Sequence, residues 1–436
     1  MDISFLNPLL AFVWGFLKTW WWIFPPFFLF RPFIYFWLYW RSDLFDARTP
    51  RITLEIKMPQ NVEKPLKAME SVFSGFWQIY DPPNPREKWL EGQYQLGFAI
   101  EIVSVEGQVH FYLRIPKSQR KLFESAVYSQ YPDAELQEVE DYTKAIPQNI
   151  PNKDWRMWGA SYKLNNPSCY PIKTYSKFFE VSPDTKEEKR VDPIAILVEG
   201  LSRLGEGEHM WIHFLMTPFS PVDEAGKPYV AQGRKIVDKL VRRPEPVKPS
   251  TVWQDLGSVG SVLVTGKAPE VPQAQQQQEI IPPEMKLTPG EREIVSGIEE
   301  KLSKPSFDTV LRFVYIARTD KYDSSAKALA MSYFQQFSTA HANFLRPLET
   351  TKVHTILTFP LDRRRGYVRR RRLFVRHINR LGPYWPAFGG GSFVLNIEEL
   401  ASMFHFPSKI TFPSGAAPRV EVRKGQAPAG LPVQEE

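Results

Sequence analysis

Cysteine is almost absent from this 436-residue chain, with Cys169 its single example. That excludes a disulfide scaffold and any cysteine-based zinc cluster, and it fits a reducing compartment. Catalytic spacing is missing as well. There is no G-x-x-x-x-G-K-[ST] loop to cradle a nucleotide. Val264-Thr265-Gly266-Lys267 holds a Gly-Lys pair, but Ala268 stands where a magnesium-binding hydroxyl belongs. There is no G-x-S-x-G and no H-E-x-x-H. His209 and His213 flank Trp211 on one strand, with no third histidine or cysteine near them in sequence, and so read as ordinary strand residues rather than metal ligands. Gly389-Gly390-Gly391 lacks a following basic residue and reads as a turn. The expectation is a protein that is not an enzyme and carries no cofactor and no metal.

Charge is scarce at the N-terminus. Residues 4–40 are apolar and aromatic, with Lys18 and Arg31 the only charges. A spanning helix needs about 20 apolar residues, and 5–24 supplies that length. Pro25-Pro26 is expected to break it, which leaves 27–40 as a short second or interfacial helix. A cleaved signal peptide fits poorly, because Asp2 replaces the usual basic start and no small-x-small site follows. Arg41, Arg48, Arg51 and Lys57 just after the segment place 42–436 in the cytosol, with one span or a hairpin left open.

Positive charge is concentrated. The chain carries +7 overall, and 361–380 holds nine arginines and one aspartate, a local +8, so the rest sums to −1. Arg363, Arg364, Arg365, Arg369, Arg370, Arg371, Arg372, Arg376 and Arg380 make up this tract, with Tyr367 and Phe374 among them. Guanidinium forks suit phosphate oxygens. Three readings stay open: anionic lipid, nucleic acid, and a solvated or partner-docking helix. A run of four adjacent arginines cannot all face a core, so 369–372 is expected to be mostly solvated.

Between these ends the pattern is α+β. Ile52, Leu54, Ile56 and Met58 alternate as a strand; Leu66, Met69, Phe73 and Phe76 follow at helical spacing, with Asn61 as a candidate cap. Strands at 98–102 and 109–115, a helix over 122–131 and a short strand at 134–139 complete a βαββαβ order, the ferredoxin-like form. Asp192-Pro193 caps a helix, 209–217 is a strand, and 229–241 looks helical. Thr288-Pro289-Gly290-Glu291 is a capping box opening helix 289–303; strand 307–317, helix 324–338 and strand 352–359 follow. The expected architecture is an N-terminal transmembrane segment followed by two ferredoxin-like cytosolic units, the second split by a Pro/Gln-rich insertion. The boundaries are 1–41 anchor, 42–150 first domain, 151–266 and 288–407 the two parts of the second, 267–287 linker and 408–436 tail. Residues 267–286 are expected to be the most mobile.

Several stretches carry a resemblance. HFYLRIPKSQRKLFESAVYSQYPDAELQEVEDY at 110–142, YPIKTY at 170–175, VDPIAILVEGLSRLGEGEHMWIHFL at 191–215 and LNIEELASMFHFP at 395–407 resemble an uncharacterised bacterial membrane-protein family. That family looks like the N-terminal, membrane-anchored half of conjugative type IV secretion motor ATPases of the coupling-protein or helicase kind. Asn396, Glu398, Glu399, Leu400, His405 and Pro407 match its most specific motif. The same residues also read as a helix start, with Asn396 as cap and two glutamates in the first turn. In the motor proteins a Pro- and Gly-rich stretch ending in LP follows and the nucleotide-binding domain then begins; here KGQAPAGLP at 424–432 follows and the chain stops at Glu436, which by the resemblance implies a form without the ATPase domain. The resemblance implies a non-enzymatic adaptor in the bacterial cytoplasmic membrane, docking a separate motor ATPase or DNA in a type IV secretion-like, conjugative machine. A peripheral protein that binds anionic lipid and organises the envelope is the alternative. Self-association is left open.

Overall fold

Strands that are apolar on both faces belong inside a sheet. Phe98–Val105 (β2) and Glu208–Phe219 (β6) are of this kind, and they pair with each other, antiparallel, from Phe98↔Met216 to Val105↔His209. That pairing decides the architecture. The computed structural model describes residues 14–16, 18–59, 64–178, 192–220, 229–241, 287–339, 341–350, 359–382, 391–407 and 419–420. Residues 1–13 and 17 of the expected anchor, the insertion at 267–286, the Gly-Lys pair, the glycine triplet's first two residues, the Asn61 cap and the strand expected at 352–358 lie outside them.

The other strands are β1 (Arg51–Pro59), β3 (Gln108–Pro116), β4 (Glu135–Val139), β5 (Trp155–Leu164), β7 (Ser306–Arg318), β8 (Leu345–Thr350) and β9 (Phe393–Asn396). They follow the order β4-β1-β3-β2-β6-β7-β5-β8, antiparallel throughout, with β9 antiparallel to the start of β7. A two-residue β10 (Arg419–Val420) adds parallel to the end of β1. The first half threads strand, helix, two strands, helix, strand; the second places two further helices, at 229–240 and 289–303, between its two middle strands. The expected pair of separate ferredoxin-like units is nevertheless corrected: the strands form one large open sheet. Apart, the units would leave β2 and β6 as bare apolar edges; joining removes both.

The helices are α1 (Phe24–Arg48), α2 (Leu66–Trp77), α3 (Arg120–Gln130), α4 (Pro193–Ser202), α5 (Tyr229–Leu240), α6 (Pro289–Ser303), α7 (Lys327–Gln335), α8 (Phe359–Ile378) and α9 (Ile397–Met403). The even-numbered side chains of β2 and β6 and the odd-numbered ones of β7 point to one face. There Ile100, Ile212 and Phe313 pack under α2, α3, α4, α7 and α9 in the main core. The opposite face carries a smaller cluster, Val103, Trp211, Val314 and Ile316, covered by Leu373 and Phe374 of α8 and by Ile146 and Ile150. Caps sit where local chemistry puts them. Asp192 accepts from Ile194 N, and Thr288 and Glu291 close a capping box.

The transmembrane expectation is also corrected. Among the described residues no helix is long and apolar enough to cross a membrane. Pro25-Pro26 does not break α1. It lies in the first turn, where a missing N–H costs nothing, so the helix runs on to Arg48 and takes in Arg31, Arg41, Asp43 and Asp46. Among its seven Phe stand Tyr35, Trp37, Tyr39 and Trp40, whose N–H and O–H groups favour an interface over hydrocarbon. α1 is held by the loop before β2. Trp37 donates to the Trp89 carbonyl at 2.9 Å, and Arg41 donates to that of Leu90. Gly92, at φ +74°, passes so close that a Cβ there would meet the Arg41 backbone at 2.2 Å.

Candidate functional site

α8 contains most of the arginine tract, and its helical period sorts the arginines. Arg363, Arg364, Arg365, Arg369 and Arg372 are exposed, as are Tyr367 and Val368. Gly366, Leu373, Phe374, Arg376 and His377 turn inward and are buried. Arg370 and Arg371 are half-buried, so the run 369–372 is only partly solvated. Arg371 donates to the carbonyls of Gln148 and Ile150, the second at 3.1 Å.

Beneath the inner face, the sheet carries a polar row. Glu55, Tyr112, Glu101, His213, Arg312 and Ser161 are direct cross-strand neighbours on β1, β3, β2, β6, β7 and β5, and all six are buried. Arg380, just past the end of α8, reaches this row from a left-handed backbone at φ 49°. Such a residue commonly ends a helix, though it is usually glycine. Its guanidinium donates to both Glu101 carboxylate oxygens at 2.9 and 3.1 Å and to Asp141, and it lies over the Tyr142 ring at 5.2 Å. Tyr142 donates its hydroxyl to Glu101 at 2.7 Å, and His213 Nε2 stands 2.7 Å from the Tyr142 hydroxyl oxygen. Since the Tyr142 proton goes to the carboxylate, His213 donates here and its Nδ1 is left bare. The His377 ring lies 4.9 Å from His213, and its Nδ1 donates to the Leu373 carbonyl at 2.9 Å. Arg312 Nη1 donates to the Leu381 carbonyl at 2.8 Å.

The electrostatics follow from burial and this crowd of cations. Burial works to raise the Glu101 carboxyl, but the charge and hydrogen bonds of Arg380 and the Tyr142 hydroxyl outweigh it and hold it below the ordinary range. Burial, then Arg380, Arg312 and Arg114, pushes His213 well below its usual value; burial, then Arg312 and His213, does the same to His377. Both rings are therefore neutral at pH 7. Burial and the neighbouring Arg376 bring Arg312 down to about 9. Among the described residues no group of three His, Cys, Asp or Glu side chains is placed to hold a metal ion.

The motif residues lie on the other face of the sheet, under a different core, so the structure does not bring them together with the tract. Asn396 caps α9, accepting from Glu399 N at 2.8 Å while Glu399 accepts from Asn396 N at 3.0 Å. The Glu399 carboxylate also receives Ile172 N and Lys301 Nζ, each at 2.9 Å. Glu398 pairs with Lys304 and accepts from Ser176. His405 meets Asp192 at 2.6 Å; Leu400 and Pro407 are buried. These residues clamp the end of the fold to 170–176, 192 and 301–304. Asn396→Ala should therefore lower unfolding free energy by about 1–2 kcal/mol, the upper part of the range for a lost cap, read from urea denaturation.

Sequence reading missed Glu101, Tyr142, His213, Arg312 and His377 as a group. The signal was one polar residue set in the middle of each apolar strand, as in AIEIV, WIHFL and LRFVY.

With this geometry in hand, a comparison with protein families matches residues 44–412 to the domain of unknown function DUF8128. The chain belongs to the DUF8128 family. The matched stretch takes in the whole β1–β9 sheet, α8 and the α9 clamp. Comparison with curated proteins finds no match. Nothing in the DUF8128 match links the chain to type IV secretion or conjugation. Those assignments are left without support, and among the described residues no helix could serve as the membrane-spanning anchor that went with them.

Proposed function

We propose that the chain is a non-enzymatic protein that attaches to an anionic lipid surface through the outer face of α8. The observation that carries this reading is the concentration of Arg363, Arg364, Arg365, Arg369 and Arg372, all exposed, on one helix whose other side is anchored in the fold. Near an anionic bilayer each such cation contributes about 1 kcal/mol. α1 supports the same partner. Phe28, Leu29, Phe30, Phe33, Phe36, Tyr39 and Trp40 are more than half exposed there, and contiguous exposed apolar surface marks a binding face. Trp and Tyr sit well at headgroup depth without crossing. Docking of a motor ATPase has no residue of its own to support it, so lipid stands first.

The purified full chain should co-sediment with vesicles containing phosphatidylserine and not with purely neutral ones. Binding should weaken steeply as salt rises, because exposed charges are screened. Equal binding to neutral vesicles, or duplex DNA displacing the protein from vesicles at stoichiometric amounts, would reject lipid as the partner.

A further inference from the structure

Beside the exposed arginine face lies a cavity of about 350 Å³ between α8 and the turn that follows it. That size is at the lower end of pockets that hold small ligands, which are mostly apolar with a few placed polar groups. The walls fit this description. They are almost wholly carbon, from Tyr367, Val368, Val375 and Leu381 and from the stems of Arg371, Arg372 and Arg376. Carbon walls ringed by three guanidinium-bearing side chains suit a ligand that is apolar along its length and negative at one end.

A second observation points to an anion. Arg312 does not line the cavity, but it is bonded through Nη1 to the carbonyl of Leu381, which does. Its other edge, Nε and Nη2, is buried and has no protein partner among the described residues. That edge is the fork that matches two oxygens of a carboxylate or phosphate. A buried guanidinium with three of its five donors unmatched adds positive potential close to Leu381. Arg376, itself buried, carries the same sign in the wall.

We infer that this groove takes a single-chain anionic amphiphile, a fatty-acid carboxylate, with its carbons along Tyr367, Val368, Val375 and Leu381 and its head against Arg376. At about 30 Å³ per water-sized group the cavity of about 350 Å³ holds about twelve such groups, one short acyl segment and not two chains. The inference rests on the reading of α8 as a lipid-facing helix, and gives that helix a site for one chain beside its surface for many headgroups.

Titration calorimetry with decanoate, below the concentration at which it forms micelles, tests this on the full chain. Saturable 1:1 binding is expected. Leu381→Trp and Val375→Trp each fill the groove and should weaken binding at least tenfold; Leu381 is 48% exposed, so its replacement leaves the core untouched. Decanol, which lacks the charge, should bind at least tenfold more weakly. Replacing Arg363, Arg364, Arg365 and Arg369 by Gln should leave decanoate affinity within twofold. Absence of saturable binding, indifference to both tryptophans, or equal affinity for decanol overturns the groove assignment. Vesicle attachment without decanoate binding overturns the groove alone. Decanoate binding without vesicle attachment supports the groove and overturns the surface reading.

Discussion

Glu101→Gln should lower the free energy of unfolding by about 3–5 kcal/mol, the usual cost of removing one partner of a buried ion pair. The Glu101 carboxylate is fully buried and receives two bonds from Arg380 and one from Tyr142. Gln keeps the shape but not the charge. Arg380 would retain only Asp141 as a counter-charge, with Arg312 and Arg114 still nearby. The hydroxyl of Tyr142 and the imidazole of His213 would have to rearrange their single shared proton chain. Urea denaturation followed by tryptophan fluorescence measures the change. Glu140→Gln is the control. Its partner Lys144 is four residues on, and both side chains are largely exposed, so the loss should stay below about 0.5 kcal/mol.

Acid should loosen the same region in a window set by histidine. His213 and His377 have folded values pushed well below the ordinary 6.5, by burial first and then by the surrounding arginines. The folded state therefore binds fewer protons than the unfolded state at mildly acidic pH. Stability is full above about 6.5 and falls as pH drops through the unfolded value toward the folded ones. The slope per ring grows from half to nearly the full value of about 1.4 kcal/mol per pH unit over this interval, so two rings remove about 2 kcal/mol between pH 6.5 and 5.5. The carboxylates act lower. Glu101 and Asp141 have lowered folded values, and their contribution is lost only as pH falls below about 4 and through those values. Denaturant titrations at pH 7.5, 6.5 and 5.5 should show the loss, and His213→Gln with His377→Gln should flatten it. A wild-type profile flat from 7.5 to 5.5 would show that the two rings are not held neutral under α8.

Much of the local structure is legible in the residues, and the reason is that caps and alternation act over a few positions. Ile52, Leu54 and Ile56 mark β1, Val109 to Ile115 mark β3, and Thr288 with Glu291 starts α6 where the capping box lies. What joins these elements is non-local. Nothing within FAIEIVSV says that its partner is GEHMWIHFLM a hundred residues on, although its lack of a polar face hints at an interior strand. The polar row is hidden for the same reason. Glu101, His213 and Arg312 come from three distant strands, and only the register sets them side by side. Pro25-Pro26 reads as the boundary of a helix, and in the fold it lies in the first turn of α1, which runs on to Arg48 rather than stopping at residue 40. Of the candidate site, the arginine tract was visible as charge, but its two roles were not. Arg376 is buried and the Arg380 side chain is only 5% exposed, anchoring the end of the helix, whereas Arg363, Arg364, Arg365 and Arg369 face outward. The Asn396 motif was visible both as a family-like signature and as a helix start; its glutamates are engaged by Lys301 and Lys304 inside the fold.

The two faces of α8 give the account its most direct test. One measurement suffices: the partition coefficient onto vesicles of increasing phosphatidylserine content, for the wild type and for a variant with Arg363, Arg364, Arg365 and Arg369 replaced by Gln. The four side chains are exposed, so the variant should keep the wild-type denaturation midpoint to within about 0.5 kcal/mol. At about 1 kcal/mol per cation, its partition onto anionic vesicles should fall by about two to three orders of magnitude and lose most of its dependence on phosphatidylserine. A folded variant that partitions as the wild type does, with the same dependence on anionic lipid, would contradict the claim that the outer face of α8 binds a lipid surface.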